Sequence, residues 1–322
     1  MSSSSRLRDT LLPLAGSADG LPAMGFGTLI PDATAARRAI KTALEVGFRH
    51  IDAAEAYRNE DVVGQALQES FADGTLSRSE LFVTTKLWNN NHRPERVGPA
   101  LEASLRRLQL DHVDSYLIHT PFAFHPGEDQ YPKLPDGSPH YDTGVTLLET
   151  WQAMERLVDE GKTRFIGLSD VRLDTVKQIY AAARIKPAIV QVECHPYLPE
   201  WELLDFCREH GIVLLAFAPL GHGMEPSVLR DPVIMDIAQR EGRTPAQVAL
   251  AWAVQRGAAI LTTSTHAGHI RENFNVSPLP EHAMQRMHHD ITTRVRLNQV
   301  VDTGLPGFIP RARQTGSEAM PA

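Results

Sequence analysis

Asp52 and Tyr57 close a run with strand character, Gly47-Phe48-Arg49-His50-Ile51, just ahead of a helix-like segment. Later strand-like runs end in two more ionisable groups, Lys86 and His119, and the four types together can move a proton. An unperturbed phenol titrates at about 10, too high to give up and recover a proton readily near neutrality, but an adjacent ammonium pulls that value down. Lys86 can supply the ammonium, Asp52 the counter-charge that keeps it protonated, and His119 a hydrogen bond that aims the oxygen being protonated. Each residue alone also fits a plainer part. Asp52 could cap a helix, Tyr57 fill a half-buried site, Asp52 and Lys86 form a structural ion pair, and His119 sit in a core.

The elements that must position these residues alternate along the whole chain, strand-like then helical, which is the pattern of parallel β/α units. Strand candidates run over 22–28, 48–52, 81–86, 113–119, 163–169, 188–193, 212–217 and 259–263, and nearly all are apolar, as expected when both faces are buried. Helices are expected at 33–46 (with Asp32 as its cap), 59–71, 96–108, 145–160, 171–183, 200–210, 231–241, 244–256 and 280–291. Eight such units predict a closed (β/α)8 barrel. Residues 11–21 read as a short N-terminal hairpin plugging the barrel's amino end. Residues 120–144, with five prolines, are too long for an ordinary connection and read as a lid or pocket wall after strand four. Residues 1–10 are expected to be a disordered leader, and 11–322 one domain whose C-terminal segment, about 292–322, forms a lid over the substrate.

Composition narrows the partners. The net charge is −7 and no basic cluster stands out, which argues against nucleic acid. No apolar run suits a secretory signal or a membrane span. The two cysteines, Cys194 and Cys207, lack disulfide or zinc spacing, so a reducing, cytoplasmic setting and no metal are expected.

In a barrel of this kind the chemistry sits at the carboxyl ends of the strands. Those ends carry Thr28 or Leu29, Asp52, Lys86, His119, Ser169 with Asp170, Gln191 with Glu193, Phe217, and Thr263 with Ser264. All should converge on one mouth.

At this point the residues reach a family. Phe48 to Glu60 (FRHIDAAEAYRNE), Thr84 to Trp88 (TTKLW), Asp114 to His119 (DSYLIH), Ile166 to Ser169 (IGLS), Val190 to Tyr197 (VQVECHPY) and Ile270 to Asn273 (IREN), in that order, resemble the aldo-keto reductases. The resemblance implies that Asp52, Tyr57, Lys86 and His119 are a catalytic tetrad with Tyr57 as general acid. It also implies hydride delivery from the nicotinamide C4 of NADP(H), the chemistry of a cofactor that the protein only positions. Ser169, Asp170 and Gln191 would then hold the carboxamide, Phe217 would stack on the nicotinamide, and Leu220 with Gly221 would line the pyrophosphate. Gly27 and Thr28 would lie under the cofactor, while Thr263, Ser264, His269, Glu272 and Asn273 would meet the adenosine phosphate and adenine. No Rossmann fingerprint contradicts this: Gly25-Phe-Gly27 and Gly221-His-Gly223 lack the third glycine.

The departures from the family pattern carry their own expectations. Asp170 stands for the usual Asn, and an ionised carboxylate only accepts hydrogen bonds. Phe217 stands for the usual Tyr. Thr263 and His269 stand for Lys and Arg at the ribose 2′-phosphate, which removes two permanent cations and opens the way to NAD(H); Arg271, close by in the chain, is the residue placed to compensate. Leu29 and Thr120 stand where relatives often carry Trp, so the substrate mouth is expected to be wide, walled by Trp88, with Phe122, Phe124 and the tail residues Leu305 and Phe308 as lid contacts. The expected partner is a small-molecule carbonyl compound, bound by a monomer or weak dimer. Two other readings are a catalytically silent, nucleotide-sensing barrel and, from the 14 histidines, a metal-dependent barrel hydrolase; the intact tetrad and the scatter of the histidines speak against them.

Overall fold

The computed structural model describes residues 6–17 and 20–298. Its eight parallel strands close into a barrel: β3 (Met24–Gly27), β4 (His50–Asp52), β5 (Phe82–Leu87), β6 (Val113–Ile118), β7 (Thr163–Ser169), β8 (Ile189–Glu193), β9 (Val213–Phe217) and β10 (Ala259–Thr262), with β10 pairing back to β3. Around it lie α1 (Ala33–Val46), α2 (Glu60–Ala72), α3 (Pro94–Leu108), α4 (Leu147–Asp159), α5 (Leu173–Ala182), α6 (Trp201–Glu209), α7 (Pro232–Glu241), α8 (Pro245–Gln255), α9 (Ala267–Phe274) and α10 (Glu281–His289). The alternation read from the sequence therefore corresponds to the (β/α)8 fold. Local chemistry fixes the helix starts: Asp32 accepts from the Ala35 N–H, and Thr146 with Glu149 and Thr244 with Gln247 form reciprocal capping boxes.

β1 (Leu11–Pro13) and β2 (Gly20–Pro22) form the expected antiparallel hairpin. Leu14 and Leu21 pack in one buried cluster with Phe82, Leu117, Ile189, Val213, Leu215 and Leu261, which belong to five of the barrel strands, β5, β6, β8, β9 and β10. The amino end is thus closed by apolar contact. Successive inward residues lie two apart, so β5 presents Phe82, Thr84 and Lys86 to the interior in turn. Going up the barrel, the lining changes from this apolar plug to a chain of hydroxyls and imidazole, His50 to Thr84 at 2.9 Å and Thr84 to Ser115 at 2.7 Å, and then to the ionisable groups of the mouth.

The loose leader expected over 1–10 does not hold for its second half. Leu7–Asp9 make a 3-10 turn, Leu7 is buried in the main core, and its N–H bonds the Val276 carbonyl at 3.2 Å; residues 1–5 lie outside the described residues. A single apolar side chain in a polar leader gave no periodicity from which to read this contact. The helix α9 was likewise absent from the sequence expectation, because eight residues with Gly268 and His269 inside them carry little helical patterning.

The barrel interior tolerates no extra atoms at Gly167, where an added Cβ would stand 2.2 Å from the Ile189 carbonyl oxygen and 2.7 Å from Leu117. Gly167→Ala is expected to lower stability by about 3 kcal/mol. Gly98, inside α3, has only Leu157 near, at 3.8 Å, so Gly98→Ala should raise stability by roughly 0.5–1 kcal/mol. Urea unfolding midpoints of the two variants check both signs.

Candidate active site

Lys86 is completely buried on β5, and its ammonium has three donors to satisfy. It donates to Asp52 Oδ2 at 2.6 Å, to the Ala53 carbonyl at 3.0 Å and to the Tyr57 hydroxyl at 3.2 Å. The other carboxylate oxygen of Asp52 accepts from Gln191 Nε2 at 2.9 Å. Asp52 is the last residue of β4, and a 3-10 turn over Glu55–Tyr57 folds the phenol back above it. Glu55 holds that turn in place, accepting from the Trp88 N–H at 3.2 Å and the Asn91 side chain at 2.8 Å. The His119 ring stands edge-on to Tyr57, with centroids 5.7 Å apart, and edge-on to Trp88 at 5.1 Å. All four ionisable residues read from the sequence are therefore brought together.

Their electrostatics follow from burial and from one another. Burial depresses the Lys86 ammonium, but the charges of Asp52 and Tyr57 and its bonds to them outweigh it and hold its pKa above the ordinary lysine value. Burial likewise holds the Tyr57 phenol above its usual value; the Lys86 charge pulls it down and the Asp52 charge pushes it up. The lowering by the ammonium that the sequence predicts is present, but desolvation outweighs it and the net shift is upward. Tyr57 keeps its proton. Burial, reinforced by the Lys86 charge and by His92, drives His119 well below the usual histidine value, so the imidazole is neutral near pH 7.

Around the mouth, Ser169 ends β7 and Asp170 follows with φ 53°, a left-handed conformation that Asp and Asn tolerate better than most residues. Burial raises the Asp170 carboxyl to about 6, with Arg296 lowering it and Glu193 raising it. Gln191 was expected to contact a carboxamide, but its amide nitrogen is committed to Asp52, leaving its oxygen for that contact. Phe217 ends β9, partly exposed. Thr28 is buried and donates to the Asp52 carbonyl at 2.9 Å, so it braces the tetrad strand rather than facing open space. Thr263 donates to the Gly27 carbonyl at 3.1 Å, and an added Cβ at Gly27 would stand 2.6 Å from its hydroxyl.

Ser264 accepts from the His266 N–H at 3.1 Å, and the His266 and His269 rings lie 4.6 Å apart at the start of α9. His266 was not among the residues singled out in the sequence. Glu272 is half-buried and Asn273 buried, both on α9. Arg271 lines a surface hollow with Arg8, Glu45 and Phe274.

A dinucleotide fits this rim. Gly221 has φ 75°, and a Cβ there would meet Val228 at 2.9 Å and Leu297 at 3.0 Å, so backbone alone forms that edge beside Leu220. Asp170 and Ser169 offer polar groups where a carboxamide would bind, Phe217 offers a ring face, and Ser264 with the two histidines offers donors at a helix start.

The substrate side differs from expectation in part. Leu29 is 53% exposed on the loop after β3. Thr120 is instead fully buried, its hydroxyl donating to Asn89 Oδ1 at 2.8 Å. It shapes the loop after β6 and does not line open space. Trp88 and Phe122 are buried together with Phe124, and the Trp88 indole N–H donates to the Gln130 carbonyl at 2.7 Å, so the long loop is pinned onto the tryptophan. Leu305 and Phe308 lie outside the described residues.

A closed parallel barrel with a lysine, aspartate, tyrosine and histidine converging on its carboxyl mouth defines an oxidoreductase of the barrel type. The comparisons give the family: the profile described as "Aldo/keto reductase family" matches residues 20–289. The chain is 45% identical over 269 residues to "Aldo-keto reductase family 1 member C1" of Macaca fuscata fuscata, covering 80% of this chain and 83% of that one. It is 44% identical over 269 residues to "Prostaglandin F synthase 1" of Bos taurus, with the same coverage of 80% and 83%. Its structure matches that of the aldose reductase from Schistosoma japonicum with a TM-score of 0.88, at 34% identity over 94% of this chain and 99% of the other. The chain belongs to the aldo-keto reductase family, and its reaction is the NADP(H)-dependent reduction of carbonyl groups. A silent nucleotide-sensing role is not supported.

The ion pair can be tested apart from activity. Lys86→Met leaves the Asp52 carboxylate buried without its counter-charge and is expected to cost about 3–5 kcal/mol. Adding Asp52→Asn removes the stranded charge, so chemical denaturation of the double variant should show at least half of that loss recovered.

Proposed function

We propose that Tyr57 is the general acid of carbonyl reduction, with Lys86, Asp52 and His119 in support. The observation that carries this reading is the single ammonium lying 2.6 Å from Asp52 and 3.2 Å from the Tyr57 hydroxyl, beside the His119 ring. A nicotinamide held there would supply hydride to the carbonyl carbon. The neutral imidazole of His119 can donate a hydrogen bond to the substrate oxygen without adding charge to the site. Tyr57 then passes its proton to that oxygen, and Lys86, already bonded to the phenol oxygen, stabilises the phenolate that remains. Asp52 keeps Lys86 protonated through the step.

Ser169, Asp170, Gln191 and Phe217 would hold the nicotinamide, Gly27, Leu220 and Gly221 would flank its diphosphate arm with buried Thr28 bracing the strand end beneath, and Thr263, Ser264, His269, Glu272 and Asn273 would bind the adenosine end. Exposed Leu29 supports a mouth wide enough for bulky or secondary carbonyl compounds. Among the described residues no helix is long and apolar enough to cross a membrane. A cytoplasmic monomer or weak dimer is the form we assign.

Tyr57→Phe keeps the ring and removes the proton. Turnover is expected to fall by at least about a thousandfold, while the Kd for NADPH, followed by protein fluorescence, stays within roughly threefold of the parent. Retained turnover would reject Tyr57 as the acid. Because Thr263 and His269 replace two permanent cations, kcat/KM for NADPH over NADH is expected to be less than about a hundredfold; a ratio of about a thousandfold, roughly 4 kcal/mol, would refute the idea.

A further inference from the structure

The start of the C-terminal segment is fastened to the mouth by one buried carboxylate. Glu193, the last residue of β8, accepts the Leu297 N–H at 2.7 Å on one oxygen and the Asn298 N–H at 3.0 Å on the other, and the first oxygen also receives His195 Nε2 at 2.8 Å. The Val295 N–H adds a bond to the Tyr197 carbonyl at 2.9 Å. Between these anchors Arg296 reaches three acids: Glu200 at 3.2 Å, Glu193 at 3.7 Å and Asp170 at 3.9 Å. Glu193 is fully buried and Asp170 is 7% exposed, whereas the Arg296 side chain is 42% exposed.

Three carboxylates gathered at one rim repel one another and are costly to desolvate without a cation. Arg296 is the cation that faces all three. An asparagine at 170 would carry no charge for it to balance, so the aspartate and the arginine make sense as a pair. The backbone of Asp170 is itself tied inward, its N–H donating to the Gln191 carbonyl at 2.8 Å, which leaves the side chain as the part that Arg296 can hold.

We propose that Arg296 is a positioning residue for the nicotinamide end of the cofactor site: by balancing the charge of Asp170 it fixes that side chain and couples the seating of residues 295–298 on Glu193 to cofactor affinity. This rests on the reading of Asp170 as a carboxamide contact. Cofactor binding at the β7 end and docking of the segment at the β8 end then favour each other, since both depend on one guanidinium.

The test is a set of NADPH titrations on the full chain by fluorescence quenching, with steady-state kinetics alongside. Arg296→Gln, which keeps the stem and removes the charge, is expected to weaken NADPH binding about tenfold, with the loss falling in the cofactor KM more than in kcat. Arg296→Lys should recover most of it. In an Asp170→Asn background the same Arg296→Gln change should cost less than about threefold, because no carboxylate is left to balance. An equal tenfold loss in both backgrounds, or no loss in either, overturns the coupling. A parent protein that fails to bind NADPH at all refutes the cofactor reading itself, which separates the two failures.

Discussion

A buried ammonium with three donors and three acceptors is the constraint from which the rest of the mouth follows. Lys86 cannot remain charged at zero exposure unless Asp52, the Ala53 carbonyl and the Tyr57 hydroxyl all meet it. That demand fixes β4 beside β5 in register, sets the chain just beyond β4, and requires the turn that returns Tyr57. Asp52 in turn needs its second oxygen bonded, and Gln191 supplies that from β8, on the other side of the barrel. A single charge thereby ties together residues 139 positions apart in the chain.

The barrel below the mouth is graded to make this possible. An apolar plug from Leu14 and Leu21 closes the far end, the hydroxyls of Thr84 and Ser115 occupy the middle, and charge appears only at the top. The lining is crowded enough that Gly25 and Gly167 serve as space: a Cβ on Gly25 would stand 2.6 Å from His50 Nδ1. Closure from beneath leaves the carboxyl mouth as the open end, and burial of the phenol there raises the pKa of Tyr57.

Much of this was legible in the sequence because strand ends are local features. A polar residue terminating an apolar run marks both the strand and its mouth-facing end, and Asp52, Lys86 and Ser169 were found that way, as was the start of α1 with its Asp32 cap. What was not legible depends on partners far along the chain. Thr120 sits where a pocket residue is expected, yet its hydroxyl turns to Asn89, a choice that no pattern around position 120 encodes. The commitment of Gln191 to Asp52, and of Glu193 to the backbone of residues 297 and 298, likewise exists only once the barrel has closed. Leu7 was missed because one apolar residue has no period, and α9 because it is too short to show one.

The raised pKa of Tyr57 fits the acid role proposed for it rather than opposing it. A phenol lowered toward neutrality would lose its proton to solvent for part of the time and would be an anion when a carbonyl arrives. Held up by burial, it stays protonated while substrate enters, and the ammonium 3.2 Å away is already placed for the charge that appears when the proton leaves. The stabilisation is thus greater after transfer than before it, which is the condition for an interaction to lower a barrier instead of only tightening the resting state. Lys86 meets that condition because Asp52 keeps it charged in both states. In the proposed reaction, the ion pair that at first could be taken as purely structural would allow the phenol to be both retentive at rest and acidic during transfer.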